Sequence, residues 1–125
     1  MGPVRGLLDT SVIVAGTRPA VDEAAISAMT LAELHYGVLG ARTGGERALR
    51  LQRLALVESE FEPLTIDDDV ARAYGAIVAG ARSAGKRPKT ADALIAATAV
   101  ANGLAVYTHD ADFDGLPGVD VVLLS

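Results

Sequence analysis

Along this chain, short apolar runs alternate with longer segments whose apolar residues recur every three or four positions. Residues 4–8 read as a buried strand that stops at Asp9-Thr10-Ser11, and a short helix or turn covers 12–15. Residues 24–29 read as a second strand. Thr30 and Glu33 then have the spacing of a capping box, which opens a helix reaching about Gly40. Gly44-Gly45 separates it from another helix over 46–57. The run 61–66 reads as a third strand, placed at a sheet edge because Pro63 cannot donate to a ladder.

Asp67-Asp68-Asp69 supplies a cap and favourable charge to the start of the next helix. Val70, Tyr74, Ile77, Val78 and Ala81 recur along its face, and Gly85 ends it. Lys86-Arg87-Pro88-Lys89 is a basic loop. Thr90 is the expected cap of a helix over 91–102, closed by Gly103, and residues 104–108 and 119–124 read as the fourth and fifth strands. Strands alternating with helices specify an α/β domain, its sheet mostly parallel and covered on both faces. At 125 residues there is room for one core, so residues 1–125 form a single domain with no repeat or linker.

Composition narrows the chemistry. Half of the residues are hydrophobic, which excludes a disordered chain. The absence of Cys removes disulfides, zinc-thiolate sites and a cysteine nucleophile, and two His are too few for a histidine metal cage. A net charge of −5 argues against a generically basic nucleic-acid binder, so any such contact must use local basic patches. The apolar stretch 93–101 is far short of the roughly 20 residues that cross a bilayer. Asp9 interrupts the apolar run after Arg5, and Gly6 stands where a myristoylation signal needs Ser or Thr. The expectation is a soluble, cytoplasmic protein without a membrane anchor.

Open parallel sheets bind ligands beyond the carboxyl ends of their strands. Asp9 ends the first strand, Asp110 and Asp112 follow the fourth, and Glu33 opens the helix after the second, so these four share a rim. Asp92 joins them if the two helices before the fourth strand fold back as a hairpin. Like charges about 5 Å apart repel by about 3 kcal/mol at an effective dielectric near 20, so such a cluster calls for a divalent cation. All-oxygen ligands select Mg²⁺ or Mn²⁺ over Zn²⁺, and such sites direct water at a phosphodiester.

The runs Leu7-Leu8-Asp9-Thr10-Ser11-Val12, Ser27-Ala28-Met29-Thr30-Leu31-Ala32-Glu33-Leu34-His35-Tyr36-Gly37, Asp92-Ala93-Leu94-Ile95-Ala96-Ala97-Thr98-Ala99 and Thr108-His109-Asp110-Ala111-Asp112-Phe113 together resemble the PIN domains of VapC toxins from type II toxin–antitoxin modules. The resemblance covers nearly the whole chain. It implies a PIN-like α/β/α sandwich with a five-stranded parallel sheet, and a Mg²⁺- or Mn²⁺-dependent ribonuclease held inactive by a VapB-type antitoxin. Asp9, Glu33 and Asp92 match the family's three acidic metal-site positions, with Asp110 a fourth and Asp112 a fifth. This implies that Asp9 and Asp92 ligate the metal directly or through water while Glu33 and Asp110 complete the pocket. Thr10 and Ser11 match hydroxyl residues that orient the first acid. A homodimer is expected on the same ground. Only 23 residues lie between Asp9 and Glu33, so the helix between the first two strands must be short.

Each feature also has a plainer explanation. Asp9 can end a strand in an Asx turn, Glu33 can complete a capping box, and Asp92 can complement a helix dipole. Lys86, Arg87 and Lys89 are placed to hold RNA phosphates beside Asp92, or form a solvated loop. Arg42, Arg47, Arg50 and Arg53 read as salt-bridged surface, and His35 and His109 as hydrogen-bonding rather than catalytic. Leu31, Leu34, Val38, Leu39, Leu49 and Leu54 are candidates for an antitoxin groove or for ordinary core. A haloacid-dehalogenase-like phosphatase using Asp110-Ala111-Asp112 is excluded, since no Lys follows Asp112, and a receiver domain lacks its acidic pair and Lys. The remaining alternative is a catalytically silent PIN-like binding module. If Asp9 is crowded by Asp92 and Asp110, Asp9→Asn leaves the metal-free protein unchanged or more stable.

Overall fold

The computed structural model describes residues 2–125. The elements are β1 (Arg5–Leu8), α1 (Thr10–Ala15), β2 (Glu23–Ala25), α2 (Ala28–Leu39), α3 (Gly44–Glu60), α4 (Asp68–Ser83), α5 (Thr90–Ala101), β3 (Ala105–Thr108), a 3₁₀ turn (Ala111–Phe113) and β4 (Val121–Leu123). The sheet order is β2-β1-β3-β4, and every pairing is parallel. Leu8 lies opposite Tyr107, and Thr108 opposite Leu123, so β1 and β3 end side by side at the centre of the sheet.

Alternation along the strands separates two cores. Leu7 and Val106 face α4 and α5, where Val70, Ile77, Ile95 and Phe113 are buried with them. Leu8 points the other way, toward Val12, Ile26, Leu34, Val38, Leu54 and Val57 of the α1–α3 side. With few aromatics available, Ala96, Ala97 and Ala99 let α5 lie close against the sheet. α4 packs on α5 as a hairpin, which carries the start of α5 to the rim where β1 and β3 end. The helix between the first two strands is short, six residues in α1, as the spacing requires.

Four strands form, not five. The run 61–66 contributes a single parallel bridge, Leu64 opposite Ser27, with Leu64 N donating to Ile26 O at 2.9 Å. Phe61 N is taken by Val57 O at the end of α3, Pro63 has no N–H, and Ile66 is exposed, so no ladder extends from that bridge. The segment does lie at the edge, as Pro63 indicated.

The start of α2 also differs. Its cap is Ser27, whose Oγ accepts from Met29 N at 3.0 Å, and the second strand ends at Ala25. The Leu64 bridge holds Ser27 extended, and the helix begins directly after it. Thr30 is therefore fully buried within the first turn and Glu33 lies a turn further on, free of any capping role. A capping exchange occurs instead at α3, where Thr43 Oγ1 accepts from Glu46 N and Glu46 Oε2 accepts from Arg42 N. α4 is capped by Asp67 as expected, while α5 starts at Thr90 with Lys89 in the cap position.

Candidate active site

Asp9 leaves the end of β1 and caps α1, with its carboxylate almost wholly buried at 4% exposure. Both of its oxygens are held. Ser11 Oγ donates to Oδ1 at 2.6 Å, Thr108 Oγ1 donates to Oδ2 at 2.9 Å, and Val12 N approaches Oδ1 at 3.4 Å. Thr10 does not orient Asp9. Its hydroxyl donates to Glu33 Oε1 at 2.6 Å, so the residue after the first acid holds the second acid.

β3 delivers the opposite wall. Asp110 N donates to Thr108 Oγ1 at 2.9 Å, and Asp110 Oδ1 accepts from Asp112 N at 2.9 Å, which starts the 3₁₀ turn. Asp92 enters from the first turn of α5. One carboxylate oxygen from each of Asp92, Asp110 and Asp112 lies within 4.8 Å of the other two. Asp9 and Glu33 stand outside that tight group but close enough to act on it electrostatically. Burial, then the charges of Asp110 and Glu33, push the Asp92 carboxyl up to about 6; Lys89 opposes the rise and Asp9 adds a smaller upward push. Among the described residues, none of these five acids has a cationic partner within ion-pair distance. Three carboxylates able to meet one cation, without a basic side chain to neutralise them, form an oxygen-only donor set suited to a hard metal ion.

The basic loop divides. Arg87 and Lys89, with Pro88 and Leu116, line a pocket of about 230 Å³ that contains Asp92 and Asp112. Lys86 lies apart from it, its Nζ placed over Gly115. Arg50 binds Gly37 O and Glu46, so that part of the second basic set ties α2 to α3. His35 faces Glu58 at 3.6 Å, and His109 Nε2 is 2.6 Å from Thr17 Oγ1.

A larger apolar groove, about 630 Å³, opens between α1 with its following loop and α3. Leu8, Val12, Val57 and Phe61 line it together with Leu49 and Leu56. Of the six apolar residues proposed for a docking groove, only Leu49 lines it. Leu34, Val38 and Leu54 are core, Leu31 packs against that core, and Leu39 is 77% exposed on α2.

Thr108 escaped the sequence reading as a functional residue. The available signal was a hydroxyl at the buried end of an apolar strand, which must find a partner, placed two residues before an acid.

The PIN domain family model matches residues 6–119. The chain is 40% identical to Ribonuclease VapC4 of Mycobacterium tuberculosis, over 96% of this chain and 97% of that protein. It is also 40% identical to Ribonuclease VapC5 of the same organism, over 96% of each. Among solved structures, the VapBC-5 toxin–antitoxin complex of M. tuberculosis superposes with a TM-score of 0.89 at 39% identity, covering 98% of this chain and 100% of that one. FitAcB of Neisseria gonorrhoeae gives 0.78 at 32% identity, covering 92% and 94%. An acidic pocket at the carboxyl ends of a parallel sheet and full-length similarity to these toxins lead to one assignment: the chain belongs to the PIN-domain VapC ribonuclease toxins of VapBC toxin–antitoxin systems.

Proposed function

We propose that this ribonuclease cleaves RNA by hydrolysis with Mg²⁺, or Mn²⁺ in its place, held by Asp92, Asp110 and Asp112 with Asp9 behind them. The observation that carries the reading is the convergence of three carboxylates within 4.8 Å with no paired cation. When bound, such an ion supplies charge neutralisation and Lewis-acid assistance to attack on a phosphodiester. Glu33 is held through Oε1 by Thr10, which leaves Oε2 to orient the attacking water and take its proton. Water adds at phosphorus as the bridging P–O bond breaks, its proton passes to Glu33, and the leaving oxygen takes a proton from solvent. Arg87 and Lys89 hold the neighbouring phosphates, and Lys86, outside that pocket, adds a weaker contact.

The partner reading follows from the second cavity. A VapB-type antitoxin lays an apolar segment into the groove lined by Val12, Leu49, Leu56 and Phe61, with Arg18 and Arg53 at its rim. Tyr36 and Leu39, each 77% exposed, offer an apolar face on α2 for a second copy. No helix of the described residues is long and apolar enough to cross a membrane.

The test is cleavage of structured RNA by the antitoxin-free chain. EDTA should abolish it, Mg²⁺ or Mn²⁺ should restore it, and Zn²⁺ should not. Equal rates with and without chelator would overturn the metal mechanism, and no cleavage under any metal would favour a silent binding module. Leu56→Glu should weaken antitoxin binding while leaving RNA cleavage intact.

A further inference from the structure

We infer that Thr108 is a positioning residue for the metal pocket, setting Asp9 and Asp110 relative to one another through a single buried hydroxyl. This rests on the reading that the acidic cluster holds a divalent cation.

Thr108 is completely buried at the end of β3. A threonine hydroxyl has one proton to donate and lone pairs to accept with. Here the proton goes to Asp9 Oδ2 at 2.9 Å, and the Asp110 backbone N–H is accepted at the same distance. Ser11 repeats the arrangement. Its Oγ donates to Asp9 Oδ1 at 2.6 Å and accepts from His109 N at 3.0 Å. Two consecutive amides, those of His109 and Asp110, are thus received by two hydroxyls that each donate to a different oxygen of Asp9. The end of β1 and the loop after β3 are joined by this double bridge, which fixes the Asp9 carboxylate in tilt as well as in place.

The two halves are not equivalent. Ser11 is partly exposed, so water can stand in for its hydroxyl, whereas Thr108 is sealed from solvent. Removing the Thr108 hydroxyl leaves a buried carboxylate oxygen and a backbone N–H without partners. Groups that hold metal ligands in this way typically change metal affinity by about 10–100-fold when lost.

The experiment is a titration of Mn²⁺ into the antitoxin-free chain, followed by the electron paramagnetic signal of free Mn²⁺, with EDTA melts in parallel. Thr108→Val keeps shape and loses the hydroxyl, so its Kd for Mn²⁺ should rise by about tenfold or more. Thr108→Ser keeps the hydroxyl and should stay within about threefold of wild type. A merely structural threonine would lower the metal-free Tm in Thr108→Val and leave the Kd unchanged, which overturns the inference. If Thr108→Val does not fold, Thr108→Cys, whose thiol is a weak donor and acceptor, reads the same bridge: a Kd raised by at least about threefold supports it, and an unchanged Kd overturns it. A wild-type chain that takes up no Mn²⁺ overturns the metal reading and this inference with it; wild-type uptake with unchanged Kd in the variants overturns the inference alone.

Discussion

Thr10 Oγ1 donates to Glu33 Oε1 at 2.6 Å, joining the first residue of α1 to the second turn of α2. The residue that follows Asp9 in the chain therefore serves a different acid. The same hydroxyl also lies 3.2 Å from Oγ1 of the buried Thr30, so removing it carries a modest stability cost as well. Thr10→Val should lower kcat for RNA cleavage by about tenfold, with the metal-free Tm within a few degrees of wild type. Thr10→Ser should restore most of the rate. A Thr10→Val enzyme of full activity would show that Glu33 needs no orientation from Thr10.

The pH dependence follows from Asp92. Folded and metal-free, its carboxyl is pushed up to about 6, against an ordinary value of 3.8. Between those values the folded state binds more protons than the unfolded one. This group's contribution to stability is therefore complete below 3.8 and is lost as pH rises through about 6. A cation requires the ionised form, so metal uptake runs the other way and weakens as pH falls below about 6. Melts with EDTA and with Mn²⁺ should show a large metal-induced rise in Tm at about pH 7.5 and little at about pH 5. A metal shift that is constant across that range would contradict the role of Asp92.

The basic loop predicts an uneven salt response. Arg87 and Lys89 share a pocket with Asp92 and Asp112, while Lys86 lies over Gly115. Each phosphate contact contributes about 0.7 to the slope of log affinity against log salt for single-stranded nucleic acid. Replacing Arg87 and Lys89 with Ala should flatten the slope for RNA binding by about 1–1.5. Lys86→Ala should change it by less than half of that. Equal effects at all three positions would make the loop a diffuse positive surface.

Much of this site was legible from spacing alone, for physical reasons that also mark where legibility ended. Asp9 and Asp110 sit at the ends of parallel strands, which share one rim, so their nearness follows from topology, whereas Asp92 joins them only through the α4–α5 hairpin. The failures came where two local signals competed. Thr30 and Glu33 have capping-box spacing, but Ser27 three residues earlier is pinned by its bridge to Leu64 and takes the cap. The 61–66 run has strand composition, yet Pro63 and the α3 terminus remove the donors a ladder needs. Nor does spacing show which hydroxyl serves which acid. Thr10 to Glu33 and Thr108 to Asp9 are contacts across 23 and 99 positions, visible only once the chain has folded.

The same hydroxyls reverse an expectation about Asp9. Repulsion within the acidic cluster suggested that Asp9→Asn would leave the metal-free protein unharmed or more stable. Yet the Asp9 carboxylate is buried and accepts from Ser11 and Thr108, with Val12 N nearby. Asn has one acceptor oxygen and presents an NH₂ where the second was, so one of the two hydroxyls loses its acceptor. A hydrogen bond to a charged group is worth about 1.5–3 kcal/mol, and Asp9→Asn should lower the Tm in EDTA by several degrees. The relief belongs instead to Asp92, whose charge is opposed by burial and by Asp110, Glu33 and Asp9. Asp92→Asn should hold or raise the metal-free Tm at about pH 7.5 and lose that advantage at about pH 4, where the wild-type carboxyl is protonated in the fold. Both variants should lose most of the Mn²⁺-induced rise and the ribonuclease activity. Melts of the three proteins in EDTA decide between the two acids: if Asp9→Asn matches wild type while Asp92→Asn is destabilised, the strain in this pocket lies at Asp9 and the hydroxyl bridge does not hold it.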